Sequence, residues 1–442
     1  MKSYLWLKIT ALGIFACAST LAVQLATTER ISESSTGEQG NEHSSEPSVS
    51  ADGRYIAFKS YATNFDENDT NGSCDVFVRD RLTGETKRVS ITSSGEQGNN
   101  NSAFPSINAD GRYVAFQSFA TNLVSLDTNN ALDVFVHDRQ IGETTRVSVS
   151  SAGVEGNGNS GDPYISGDGR YVVFESVAKN LVAGDTNNAT DVFVHDRLTG
   201  ETFRASVSST GTEGNGGSTD PCISADGRYV AFESTAKNLV SGDTNNAADV
   251  FVHDILTGET KRVSVSSLGT QGNFDSNDPF ISADGKFIAF ISRSSTLVAG
   301  DTNSKIDVFV HEIDTGRTTR VSVSSSGAEG NGDCANPSLN EDGRFVGFDS
   351  LANNFVSNDT NGFSDVFVHD RQTGKTIRIS ISSSGMQGNF NSFFPFFNAD
   401  GKLVAFYSYA SNLVSEDTNG YYDVFLHRPA YAVSPIVKPP RE

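Results

Sequence analysis

The sequence predicts an all-β fold, a seven-bladed β-propeller whose blades are four-stranded antiparallel sheets. Three observations support this prediction. An Asp-Gly pair recurs seven times from Asp52 to Asp400, at a constant step of 58 residues (110 − 52 = 58). Each step contains four short strand patterns separated by turns. No window shows the apolar spacing of an amphipathic helix. Repeats of this kind stack on their neighbours, because a single unit cannot bury its own apolar faces.

The four strands of one repeat are called A, B, C and D. In the second repeat we expect them at Pro105–Asn108, Arg112–Ser118, Asp133–Arg139 and Thr144–Ser150. Strands B and C are rich in Val and aromatic residues, and strand D alternates with a period of two. The A–B and C–D turns are short, whereas the D–A and B–C connections are long in every repeat. All fourteen long connections should therefore lie on one face, here called the long-loop face.

The phase of the repeat predicts how the ring closes. The D-strand pattern appears first at Thr28–Ser34, and the seventh repeat ends after its C strand at Asp423–Pro429. The N-terminal strand should therefore complete blade seven, with residues 30–32 paired to Val424–His427. Such closure would leave no exposed sheet edge at the junction between the two ends of the chain.

The domain organisation follows from the ends of the repeat array. Lys2 and Lys8 precede an apolar run with small residues, a pattern typical of a secretory signal peptide. A retained membrane anchor is the alternative, since the run is about long enough to span a bilayer. We expect a leader at residues 1–26, the propeller at 27–430 and a tail at 431–442. The protein should be secreted, periplasmic or located at the cell surface.

The charge balance limits the classes of partner. The chain has 54 acidic and 33 basic residues, a formal net charge of −21. Such a surface repels nucleic-acid phosphates and anionic membranes. We therefore expect no nucleic-acid partner, no membrane insertion of the mature domain, and a monomer whose partner is a protein, a peptide or a glycan.

Two sets of recurring residues should be structural. The Phe residues of strands B and C, Phe116 and Phe135 in the second repeat, should pack between blades. A histidine recurs in strand C, as His137, and should be hydrogen-bonded rather than a metal ligand. The arginine of strand D, Arg146, should pair with an acidic residue such as Asp138.

The repeat resembles that of the TolB family. The resemblance rests on the run P-x-I-S-A-D-G-R-Y-V-A-F-x-S followed by D-V-F-V-x-D-x-x-T-G-E-T-x-R-V-S, and it covers roughly residues 28–430. It implies an extracytoplasmic propeller used for binding. TolB itself has an N-terminal α/β domain and six blades, whereas this sequence shows seven repeats and no such domain. Its role in the outer-membrane network is therefore not transferred.

The motif D-T-N-x-x-x-D offers the strongest candidate metal ligands. Oxygen side chains at its first, third and seventh positions can surround Ca²⁺. Alternatively, the Asp and Asn side chains form turns that hold the backbone. Both interpretations remain open, and seven copies would mean seven structural ions. The residues are Asp69, Asn71, Asp75, Asp127, Asn129, Asp133, Asp185, Asn187, Asp191, Asp243, Asn245, Asp249, Asp301, Asn303, Asp307, Asp359, Asn361, Asp365, Asp417, Asn419 and Asp423.

Positions at which the repeats differ indicate a single binding site. The residue before the recurrent Pro of strand A varies, and it should lie at the mouth of the central channel. Blades three to five are acidic there, and blades two and seven are aromatic. Local repacking near the closure blade would also explain the aromatic residues of blade seven. The candidate ligand-binding residues are Glu46, Phe104, Asp162, Asp220, Asp278, Phe394, Tyr421 and Tyr422.

Two classes of function fit these patterns. The first is a non-catalytic binding or scaffold propeller that acts through its long-loop face. The second is an extracytoplasmic enzyme, a glycan hydrolase or lyase, with its site at the channel mouth. The near-uniform repeats favour the first, because an active site requires one sector to diverge in acid, base or nucleophile. No G-x-S-x-G nucleophile elbow occurs in the sequence.

Overall fold

The computed structural model describes residues 26–430, which form seven four-stranded sheets and no helix. Within this range, no segment is a helix able to cross a membrane. Blades one to three contain β2 (Ser44–Val49), β3 (Tyr55–Ser60), β4 (Asp75–Asp80), β5 (Glu85–Arg88), β6 (Ser102–Ile107), β7 (Tyr113–Ser118), β8 (Asp133–Asp138), β9 (Glu143–Arg146), β10 (Ser160–Ile165), β11 (Tyr171–Ser176), β12 (Asp191–Asp196) and β13 (Glu201–Arg204).

The remaining blades repeat the same pattern. Blades four to six contain β14 (Ser218–Ile223), β15 (Tyr229–Ser234), β16 (Asp249–Asp254), β17 (Thr260–Arg262), β18 (Ser276–Ile281), β19 (Phe287–Ser292), β20 (Asp307–Glu312), β21 (Arg317–Arg320), β22 (Cys334–Leu339), β23 (Phe345–Ser350), β24 (Asp365–Asp370) and β25 (Lys375–Arg378). Blade seven consists of β26 (Ser392–Phe397), β27 (Val404–Ser408), β28 (Asp423–Arg428) and β1 (Thr27–Arg30). The predicted seven-bladed propeller is confirmed.

The D strands are shorter than the sequence predicted. Strand β9 ends at Arg146, whereas the alternating pattern suggested a strand to Ser150. The reason is that the Ser148 side chain, rather than a backbone carbonyl of strand D, accepts the next hydrogen bond from strand C. The N–H of Val134 donates to the Ser148 hydroxyl (3.1 Å), and that hydroxyl donates to Asp133 (2.5 Å). The chain then leaves the sheet and forms an isolated bridge further on.

The core lies between blades, as predicted. Phe116 and Phe135 face each other on adjacent strands, are fully buried, and stack with ring centres 6.0 Å apart. They pack against Ala57, Val76 and Val78 of the preceding blade. The equivalent buried residues are Phe58, Phe77, Phe174, Phe193, Phe232, Phe251, Phe290, Phe309, Phe348, Phe367, Phe406 and Phe425. Truncation of one such ring to Ala costs about 3–5 kcal/mol.

The N-terminal strand closes the ring, which confirms the predicted closure. In blade seven Arg30 of β1 lies opposite Phe425 of β28, and the N–H of Ile31 donates to the carbonyl of Val424 (2.7 Å). The Ser32 hydroxyl donates to the Asp423 carboxylate (2.5 Å). The predicted leader, apart from residue 26, and the predicted tail lie outside the described residues.

A belt of backbone hydrogen bonds closes the ring a second time, on the face opposite the long loops. The N–H of Ala51 in the A–B turn of blade one donates to Ala109 of blade two (2.9 Å), and Ala399 of blade seven donates back to Ala51 (3.0 Å). Each blade makes one such bond to the next. The acceptors are Ala51, Ala109, Gly167, Ala225, Ala283, Glu341 and Ala399.

Deletion of residues 27–34 should destabilise the ring, because it removes the partner of β28 and exposes an unpaired edge. We expect the melting temperature to fall by roughly 5–10 °C in a thermal unfolding experiment. The variant Thr27→Ala, which alters only an exposed residue of the same strand, serves as the control and should melt like the unmodified protein. An unchanged melting curve for the deletion would count against closure by this strand.

Candidate functional site

Seven residues around the channel axis share a left-handed backbone conformation. Each precedes the Pro of strand A, lies at a β-bulge, and has a φ between 46° and 60°. For a non-glycine residue this conformation costs on the order of 1–2 kcal/mol. The seven residues, here called the mouth ring, are Glu46, Phe104, Asp162, Asp220, Asp278, Asn336 and Phe394.

The mouth ring surrounds a cavity of about 260 Å³, here called the cup. Its floor is formed by Tyr164, Phe280 and Phe396, whose ring centres are 5.6–6.4 Å apart. These three rings, here called the plug, fill the centre of the channel. A second cavity of about 120 Å³ lies beyond the plug and is lined by the A–B turns. The cup is therefore a closed-ended site near the long-loop face.

A second tier of side chains, three of them acidic, supports the mouth ring. In blades two, three, four and six, the residue between Phe and Ser at the end of strand B accepts the N–H of the mouth-ring residue in the next blade. Glu233, for example, accepts from the N–H of Asp278 (3.2 Å) and from the side chain of Asn277 (3.0 Å). This tier was not predicted from the sequence, although the residue varies between repeats. The acceptors are Gln117, Glu175, Glu233 and Asp349.

Negative charge accumulates on the side of the cup formed by blades three to five. The pKa of Asp220 is raised to about 7, mainly by burial and next by the neighbouring carboxylates, above all Glu233. Burial and then Asp162 raise the pKa of Glu175 to about 7. The carboxylates of Asp162, Asp220 and Asp278 accept no hydrogen bond from any described residue. Oxygen atoms of Asp220, Glu233 and Asp278 lie within 4.8 Å of one another.

The opposite side of the cup is aromatic and contacts one cation. Phe104 of blade two is 39% exposed, and Phe394 of blade seven lies in the mouth ring on the other side of blade one. The ammonium of Lys59 forms an ion pair with Glu46 and lies 5.4 Å from the centre of the Phe104 ring. Among the described residues that line the cup there is no Lys, Arg or His. The structure thus brings six of the eight predicted binding residues into one cavity, and their binding role stays a prediction.

The other two predicted residues, Tyr421 and Tyr422, lie outside the cup. They belong to the B–C loop of blade seven and pack against His43, with ring centres 4.8 and 5.5 Å away. Tyr409 contacts Tyr422 at 5.1 Å and Phe390 at 5.0 Å. These five residues form an outer aromatic cluster on the long-loop face.

In the D-T-N-x-x-x-D loops an arginine lies between the acidic side chains. The Arg146 guanidinium of blade two is 3.4 Å from Asp127, 3.2 Å from Asp133 and 2.8 Å from Glu155. The side-chain amide of Asn129 donates to Asp133 (2.8 Å), and its oxygen accepts a backbone N–H. The guanidinium thus occupies the space between the carboxylates, and Asn129 presents its NH2 group rather than its oxygen to Asp133, so that the side chains as placed hold a turn.

The other blades hold their loops in a similar way. Arginine occupies the loops of blades one to six, whereas Arg30 of blade seven forms its ion pair with Glu33 (3.3 Å). The predicted pair between Arg146 and Asp138 is wrong. Asp138 instead binds Arg112 of the adjacent A–B turn at 2.7 Å, because the turn and the end of strand C lie on the same face.

The recurrent histidines are structural, as predicted. The Nδ1 atom of His137 lies 2.9 Å from the hydroxyl of Thr144 in strand D of the same blade, and both residues are buried. Burial lowers the pKa of His137 to about 4. The Thr144 hydroxyl in turn donates to the carbonyl of Ile91 in the preceding D–A loop (2.6 Å). This contact ties each blade to its neighbour.

Comparisons with known proteins support the fold. No protein-family model and no curated protein matches the chain. The solved oligogalacturonate lyase of Vibrio parahaemolyticus is 13% identical, with a TM-score of 0.53, and the match covers 92% of this chain and 97% of the lyase. An oligogalacturonate lyase in complex with manganese is also 13% identical, with a TM-score of 0.54 and coverages of 92% and 96%.

TolB structures are also among the similar chains. TolB of Acinetobacter baumannii is 16% identical, with a TM-score of 0.41, and the match covers 76% of this chain and 63% of TolB. The chain therefore spans less than two thirds of that TolB chain. At these identities the similarities concern the fold alone. The class defined by fold and site is a seven-bladed β-propeller with a closed-ended acidic and aromatic cup.

The variant Glu175→Gln tests the electrostatics of the cup. Since the folded-state pKa of Glu175 is raised from 4.5 to about 7, its ionisation destabilises the fold, and this cost grows as the pH rises between these values. Removal of the charge should stabilise the protein by about 2 kcal/mol at pH 8, raising the melting temperature by roughly 2–4 °C. At pH 4.5 the gain should be close to zero.

Blade two supplies a precedent for this substitution. Gln117 occupies the equivalent position, and its side-chain oxygen accepts the N–H of Asp162 (2.9 Å). The glutamine variant can therefore keep the hydrogen bond that Glu175 accepts from Asp220. The control Glu143→Gln alters an exposed residue of β9. If Glu175→Gln shifts the melting temperature equally at both pH values, or lowers it at pH 8, the proposed destabilisation by ionised Glu175 is contradicted.

Proposed function

We propose that the protein is an extracytoplasmic, non-catalytic binding propeller that acts as a monomer. Its ligand, a protein, a peptide or a glycan, binds on the long-loop face with one group inserted in the cup. The observation that carries the proposal is the convergence of a variable repeat position, the residue before the Pro of strand A, on one cavity. Ligand sites are concave, largely apolar and equipped with a few converging polar groups, and the cup has these properties.

The scaffold favours binding because it holds the cup in a fixed geometry. The mouth-ring residues are fixed by their bulges, by the adjacent prolines and by the second-tier acceptors, as between Asp278 and Glu233. The belt of turns and the closure by β1 restrain the blades around the axis. A site with little freedom to lose on binding retains more of its interaction energy as affinity.

A glycan lyase or hydrolase is the second candidate function. It is favoured by the raised pKa values of Glu175 and Asp220, both about 7, since a carboxylate that titrates near neutrality suits general acid–base catalysis. The lyases of similar fold act on oligogalacturonate, which is a polyanion. The cup is itself anionic, and the described residues that line it contain no cation to bind a uronate. We therefore place the binding role first.

A ligand screen tests the binding role. The mature protein is applied to glycan and peptide arrays beside the double variant Asp220→Asn, Phe394→Ala. We expect ligands whose signal falls at least about tenfold in the double variant, since it removes both kinds of wall from the cup. The control Leu198→Ser changes an exposed C–D turn on the opposite face and should bind normally. Array signals that are unchanged in the cup variant would contradict the proposal. Cleavage of an arrayed glycan would favour the enzyme.

The candidate calcium ligands are separate from the cup, because the D-T-N-x-x-x-D loop occurs once in each of the seven blades and does not line the cavity. We propose that the arginines of the loops in blades one to six, as Arg146 in blade two, take the place of a cation. Titration calorimetry of chelator-treated protein with Ca²⁺ should then give no saturable heat, and the melting temperature should not change. Saturable heat together with a higher melting temperature would establish structural calcium and contradict the arginine interpretation.

A further inference from the structure

We propose that the cup binds the side chain of a lysine from a partner peptide or protein. This inference rests on the proposed binding function and names the chemical group that enters the cup. Three features of the molecule support it, namely an internal lysine at the rim, unpartnered carboxylates on the facing wall, and the size and surface of the cavity.

Lys59 shows how the cup accommodates an ammonium group. Its Nζ forms an ion pair with Glu46 of the mouth ring and lies 5.4 Å from the centre of the Phe104 ring. A carboxylate and an aromatic face together provide Coulomb and cation–π attraction for one cation. This arrangement lies on blades one and two, and it comes from the chain itself. A second ammonium on the other side of the axis would meet the same two kinds of surface.

The facing wall has carboxylates without a counter-charge. Asp162, Asp220 and Asp278 accept no hydrogen bond and form no ion pair with any described residue, and all three line the cup. Blade one, by contrast, neutralises Glu46 with Lys59. The wall of blades three to five is thus a half-site that lacks the cation present in blade one. A ligand ammonium placed there would relieve the repulsion between these carboxylates.

The cavity has the size and the surface for one lysine side chain. Its volume of about 260 Å³ is below the roughly 300–1,000 Å³ typical of sites for drug-sized ligands. Prolines, such as Pro221 and Pro279, and the aromatic plug give the cup apolar walls and floor. A lysine combines a four-carbon apolar stem with a compact charged end. The stem would contact the prolines and the plug, and the ammonium would lie between the carboxylates.

The charge of the whole molecule favours the same ligand. The formal net charge is −21, and a field of this sign accelerates the approach of a basic segment to an acidic cavity. The long loops around the cup would contact the residues that flank the inserted lysine. The partner is therefore a basic, exposed segment of a peptide or protein.

The test uses trilysine as the probe, with Nε-acetylated trilysine as its uncharged match. Calorimetry at low ionic strength should show saturable binding of trilysine to the mature protein and binding at least about tenfold weaker for the acetylated peptide. The double variant Asp220→Asn, Asp278→Asn should bind trilysine at least about fivefold more weakly. The double variant Glu143→Gln, Glu201→Gln removes the same charge from exposed D-strand positions and should bind within about twofold of the unmodified protein.

Several results would overturn the inference. Equal binding of the two peptides, or an equal loss in the charge-matched control, would mean that only the overall charge attracts trilysine. Binding of Mn²⁺ or Ca²⁺ alone that depends on Asp220 and resists trilysine would make the cup a metal site. If arrayed ligands depend on the cup but trilysine does not bind, the binding function stands and the lysine inference fails. If neither trilysine nor any arrayed ligand depends on the cup, both fail.

Discussion

The packing of the paired Phe rings of each blade against the small residues of the blade before it is the contact on which the rest of the structure depends. In blade two, Phe116 and Phe135 lie on Ala57, Val76 and Val78 of blade one. A blade buries its two faces only in this way, so an open row would expose one face at each end. Closure by β1 and by the belt of turns satisfies both ends at once. The ring then provides a stable frame for loops that vary in sequence.

The same frame converts small differences between repeats into one asymmetric site. Its backbone places seven residues in the same left-handed conformation around the axis, so only their side chains distinguish one sector from another. Acidic residues occupy blades three to five, and Phe104 and Phe394 flank blade one. Burial and neighbouring carboxylates raise the pKa of Asp220 and Glu175, so the ionisation of these groups lowers the stability of the fold. Perturbed pKa values of this kind are typical of functional sites.

The sequence predicted the architecture because the architecture is periodic. The blade count, the closure by the N-terminal strand and the interblade Phe core all follow from residues that recur every 58 positions. The plug was not predicted, because Tyr164, Phe280 and Phe396 come from alternate blades and meet only across the axis. The predicted partner of Arg146 was wrong because strand C offers two acidic residues, Asp133 and Asp138. Which of them contacts Arg146 depends on the face that each side chain reaches.

A crystal structure of the protein with a lysine-containing peptide tests the central claim most directly, namely that the variable residues of the closed ring form one site for a cationic side chain. We expect density for a lysine in the cup, with its ammonium within hydrogen-bond distance of Asp220 or Asp278 and its stem on the plug. Density for the peptide on the opposite face, or an empty cup at saturating peptide, would contradict this claim.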